Sequence, residues 1–107
     1  MPYKIVNILH SGRKGERGTV RTDGRYPLRI GRVVDMKISK LQLGKYLFLD
    51  YILDENGNDY SHNYLQCTRI VDVTMKGFGY ISVETKNSIY IFEEIALSQC
   101  EGDGSNV

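Results

Sequence analysis

Cysteine is scarce in this chain. Cys67 and Cys100 are two thiols in 107 residues, too few for a disulfide framework, so a reduced intracellular protein is the expectation. Long apolar runs are missing as well. The opening stretch MPYKIVNILHSGRKGE holds no apolar segment of signal-peptide length, and nothing in the chain approaches the roughly 20 apolar residues that span a bilayer. A cytoplasmic protein without membrane contact follows as an expectation. Phosphate-loop fingerprints are absent too, because neither G-x-x-x-x-G-K-[ST] nor G-x-G-x-x-G occurs. His10, His62, Cys67 and Cys100 show no zinc-ligand spacing. In DENGNDYSHNY, Asp54, Asn56 and Asn58 alternate as in a calcium loop, but Asp59 and Leu65 stand where that loop needs Gly and Glu. No Ser-His-Asp set, paired carboxylate or activated cysteine is recognisable. The chain is therefore expected to have no enzymatic activity, no cofactor and no metal.

What is present is alternation. Short runs of β-branched and aromatic residues are separated by Gly, Asn, Asp or Ser, and every convincing segment has period two. Strands are expected near residues 3–9, 17–22, 26–38, 45–53, 66–74, 79–85 and 88–94, with turns at Ser11-Gly12, Asp23-Gly24, Asn56-Gly57 and Gly77-Phe78-Gly79. Residues 38–45 and 59–66 could each hold a helical turn instead. The pattern predicts an all-β domain over residues 1–97, a small antiparallel barrel, roll or sandwich of about six to seven short strands. The tail 98–107 has little apolar content and is expected to be disordered.

Loop length decides the faces of the last hairpin, because a shift of one residue inverts every side chain. A three-residue loop, Thr85-Lys86-Asn87, pairs Val83 with Ile89 and Ile81 with Ile91 on one aliphatic face. A two-residue loop, Lys86-Asn87, pairs Val83 with Tyr90 and Ile81 with Phe92. The first segregates polarity and gives Asn87 a left-handed position that Asn tolerates, so it is preferred here. The predicted core is then Ile30, Val34, Leu47, Leu49, Ile81, Val83, Ile89 and Ile91. Arg32 falls on the apolar face of its segment, and a bulge at Gly31 would turn it outward.

Charge is segregated along the chain. Residues 1–45 carry eleven Lys and Arg against three acids, and residues 46–107 carry three against ten. Six of the seven arginines fall between residues 13 and 32. This asymmetry points to a polyanionic partner, with nucleic acid first, contacted by Arg13, Lys14, Arg17, Arg21, Arg25, Arg29 and Arg32. The alternative is a small protein inhibitor or adaptor, of the kind phages and mobile elements encode. It would dock through an aromatic face of Tyr46, Phe48, Tyr80, Tyr90 and Phe92.

Overall fold

Side chains that alternate between apolar and polar commit most of the chain to half-buried strands, and strands need partners for both backbone edges. In the computed structural model, which describes residues 1–96, six antiparallel strands satisfy that need by closing a ring in sequence order. They are β1 (Pro2–His10), β2 (Val33–Asp35), β3 (Tyr46–Leu53), β4 (Tyr64–Gly77), β5 (Tyr80–Thr85) and β6 (Ser88–Glu94). The first and last strands pair along Tyr3↔Glu94 to His10↔Ser88 and seal the barrel. Closure removes both sheet edges at once. The expected all-β class is thus realised as a barrel, not as a roll or sandwich. The expected tail, with Cys100, lies outside the described residues.

The interior holds Tyr3, Ile5, Ile8, Val34, Met36, Leu47, Leu49, Tyr51, Leu65, Ile70, Ile81, Val83, Tyr90 and Phe92. Strict alternation cannot place Ile5 and Ile8 on one face. A bulge between Ile5 and Asn7 does so, with Asn7 Oδ1 accepting the Ile8 N–H at 3.0 Å. Strand β4 is the long one. It pairs with β3 through Tyr64, Leu65, Gln66 and Arg69 and with β5 from Ile70 onward. The Asn56-Gly57 turn forms as expected, with Gly57 at φ 84° and Asp54 Oδ1 accepting the N–H groups of Asn56 and Asn58. Among the described residues, no helix is long and apolar enough to cross a membrane.

The last hairpin takes the register not preferred from the sequence. Val83 faces Tyr90 and Ile81 faces Phe92, across a two-residue turn in which neither Lys86 nor Asn87 has positive φ. Tyr90 and Phe92 are 0% exposed inside the barrel, their rings stacked 6.0 Å apart. A closed six-stranded barrel has one interior to fill, and two rings fill it better than two isoleucines. Ile89 and Ile91 therefore leave the interior cluster for the outer face, where Ile89 is still buried as expected, at 9% exposure, and Ile91 is half-buried. They border a shallow cleft with Leu9 and Arg17.

Residues 11–32 also depart from expectation. No strand forms at 17–22. A single bridge, Leu9↔Val20, and three backbone hydrogen bonds tie that segment to β1: Gly18 N–H to the His10 carbonyl at 2.9 Å, His10 N–H to the Thr19 carbonyl at 2.8 Å and Arg21 N–H to the Ile8 carbonyl at 2.9 Å. Pro27 instead opens a single helical turn, α1 (Tyr26–Arg29), since its fixed φ suits a first turn and its missing N–H costs nothing there. Gly31, at φ 92°, then redirects the chain into β2. Ile30 lies on this turn, 36% exposed, and drops out of the core. The bulge expected at Gly31 is absent. The segment 38–45 does contain a short 3-10 turn, Ile38–Lys40, whereas 59–66 holds no helix.

Candidate nucleic-acid interface

A one-turn helix has little stability of its own, so side chains must hold α1 against the barrel. Arg21 and Arg29 do this. Arg21 is 5% exposed. Its Nε and Nη2 donate to the two carboxylate oxygens of Asp23 at 3.1 and 2.6 Å, and its Nη1 donates to the Asn87 carbonyl and Ser88 Oγ at 2.8 and 3.0 Å. The guanidinium also stacks 4.0 Å from the Tyr26 ring centroid. Arg29 lies 5.0 Å from the same ring and donates from Nη1 to Tyr90 Oη at 2.8 Å. Burial pushes the Tyr90 hydroxyl well above its ordinary range, so it stays protonated. Burial likewise raises the Cys67 thiol beside it, which makes that cysteine a poor nucleophile.

Beside α1 two clefts adjoin. The first, about 450 Å³, is bordered by Tyr26, Arg29, Tyr46, Gln66, Arg69 and Lys86, with Thr68, Asn87 and Ser88 also in its lining. The second, about 290 Å³, is bordered by Arg25, Leu28, Arg29, Arg32, Tyr60, Asn63 and Tyr64. Arg29 and Gln66 line both. Arg25, Arg29, Arg32, Arg69 and Lys86 thus ring one groove, and no Asp or Glu lines either cleft. The acids lie elsewhere. Asp72 and Glu84 border the outer cleft near Ile89, and Asp54 and Glu55 border another at the β3–β4 turn.

The sequence-predicted cations divide sharply. Arg25, Arg29 and Arg32 come together in the groove. Arg32 is already engaged, donating to Glu55 at 3.0 Å and stacking 4.9 Å from the Tyr60 ring. Arg17 forms a bidentate pair with Glu84 at 2.6 and 2.8 Å, away from the groove. Arg21 is a buried anchor, not a surface ligand. Arg13 and Lys14 are exposed on the arm between β1 and α1 and line neither cleft.

The predicted aromatic face also divides. Tyr46 and Phe48 are exposed on the outside of β3, Tyr80 is partly exposed on β5, and Tyr90 and Phe92 are in the core. Five rings in one face therefore reduce to two neighbours. Sequence reasoning missed Tyr26, Tyr64, Gln66, Arg69 and Lys86. The strand expected at 66–74 begins two residues earlier, at Tyr64, which left Tyr64 outside it, while Arg69 and Lys86 are isolated cations within the acidic half, and nothing local marks them. Comparison of the chain with protein-family models, curated proteins and solved structures finds no match.

Proposed function

We propose that this chain is a non-enzymatic binding module whose ligand is a polyanion, nucleic acid, held along the groove beside α1. The observation that carries the reading is the lining of the two adjoining clefts by five cations and no carboxylate. Four of them, Arg25, Arg29, Arg69 and Lys86, form no ion pair among the described residues. Guanidinium forks bind phosphate oxygens bidentately, and clustered positive charge, four of its five cations without an acidic partner among the described residues, raises the local concentration of an anionic chain. Such a ligand suits a cytoplasmic protein. The near-neutral net charge of +1 limits long-range attraction, so binding rests on the groove itself.

The test is a titration of labelled single- and double-stranded DNA and RNA at low salt. Four neutralised phosphates predict log K falling with log salt at a slope of about −3 on single strands. Absence of binding to all four would turn the assignment to the second reading, a protein inhibitor or adaptor. Tyr46 and Phe48, each about half exposed, favour that reading by offering a protein partner apolar area.

A further inference from the structure

We infer that Phe48 and Tyr64, continued by Tyr46, form a stacking platform for unpaired bases, so that the nucleic acid taken by the groove is single-stranded. The inference rests on the reading of the groove given above and adds the ligand's strandedness. Phe48 and Tyr64 lie on the outer face of the β3–β4 pair, stacked with ring centroids 4.8 Å apart and planes 19° from parallel. They are 54% and 56% exposed, and Tyr46 is 53% exposed. The core does not require these rings. Leu47, Leu49 and Leu65, on the opposite face of the same strands, already fill the interior. Aromatic side chains at polar-facing positions beside a cationic groove are the pairing that single-strand binding uses, because every unpaired base has a π-face and every nucleotide a phosphate. A duplex keeps its base faces against one another and has none to offer.

The platform is continuous with the groove. Tyr64 borders the second cleft and Tyr46 the first, and Gln66, which borders both, stands directly opposite Phe48 in the ladder. Charge gives the row a direction. Asp50 faces Tyr64 at one end, and Arg69 faces Tyr46 at the other, its guanidinium 4.8 Å from the Tyr46 centroid. Phosphates are repelled at the Asp50 end and attracted at the Arg69 end. The strand therefore runs from the Phe48–Tyr64 stack across Tyr46 toward Arg69 and Lys86 in the first cleft, and on the other side of Tyr64 along the second cleft past Arg25 and Arg29.

The chain contains no tryptophan, so Phe48→Trp introduces a lone indole at the platform, excited at wavelengths where the chain's eight tyrosines absorb little. Titration with an oligothymidylate of about ten nucleotides, near the middle of the usual site sizes, should quench its emission, and a duplex of equal length should not. Phe48→Ala/Tyr64→Ala should weaken oligothymidylate binding by roughly 10- to 100-fold, with the salt slope unchanged because no phosphate contact is lost. Phe48→Tyr/Tyr64→Phe should restore affinity. Equal binding of oligothymidylate by the wild type and the alanine pair, without quenching in Phe48→Trp, overturns the platform and leaves the groove standing. Duplex bound as tightly as single strand overturns it as well. Failure of heparin, duplex and single strand alike to bind at low salt overturns the groove reading first, and the platform with it.

Discussion

Removing Arg25, Arg69 and Lys86 together isolates the groove's electrostatic contribution. Each is exposed and none is paired with an acid. Their fold contacts are slight, the clearest being the 2.8 Å bond from Arg69 Nη1 to the Gly44 carbonyl. Arg25→Ala/Arg69→Ala/Lys86→Ala should therefore leave the barrel intact, each change costing under about 1 kcal/mol. Arg29 remains, because it holds Tyr90. The single-strand slope of log K against log salt should then shrink from about −3 to about −0.7, one contact in place of four. At a salt concentration near 0.1 M each contact contributes about 0.7 of a decade, so three lost contacts amount to roughly 100-fold, or about 3 kcal/mol. Fluorescence anisotropy of a labelled oligonucleotide across several salt concentrations measures both quantities, and circular dichroism checks the fold. Arg13→Ala/Lys14→Ala is the control. Those charges sit on the arm outside the groove, and screening over about 10 Å at 0.1 M leaves them little influence. A triple variant that keeps the wild-type slope, or an arm variant that loses as much, would refute the placement of the phosphates.

Arg21→Ala should destabilise by about 2–3 kcal/mol, since it strips charged hydrogen bonds from Asp23, Ser88 and the Asn87 carbonyl and removes the closer of the two guanidinium groups over Tyr26. Thermal melting should show a loss of roughly 10 °C or more. Phe92→Ala should cost about 3–5 kcal/mol in a denaturant melt, whereas Ile91→Thr on the outer face should cost under about 1 kcal/mol. The reverse order would indicate the three-residue hairpin loop. Acid should also weaken the fold. The hydrogen bond from Arg21 holds the Asp23 carboxyl below its ordinary value, and the Asn58 N–H does the same for Asp54. A depressed folded-state value gives stability that is present above the unfolded value and lost as pH falls through the lower folded one. The melting temperature should hold from neutrality to about pH 5, then fall, and Asp23→Asn should flatten part of that fall.

Local chemistry was enough to commit most of the chain to strands, because period-two alternation favours a half-buried strand and Asn-Gly favours a turn, although residues 17–22 and 26–32, read the same way, formed none. The strands at β1, β3, β5 and β6 were legible for that reason. Closure was not legible. Nothing within a strand states that Tyr3 will meet Glu94, and only closure creates the single interior that draws Tyr90 and Phe92 inward and expels Ile89 and Ile91. Register followed from volume, and volume belongs to the whole barrel. The arginine cluster was visible as charge, but its division was decided by what each side chain meets after folding: Glu84 for Arg17, Asp23 and Ser88 for Arg21, Glu55 for Arg32. Arg69 and Lys86 reach the groove from the acidic half because the barrel brings the middle of β4 and the β5–β6 turn beside α1. Sequence sets the kind and number of charges, since ionisation is a property of the residue. Which of them are free to bind an anion is set by distance, and distance exists only in the folded chain.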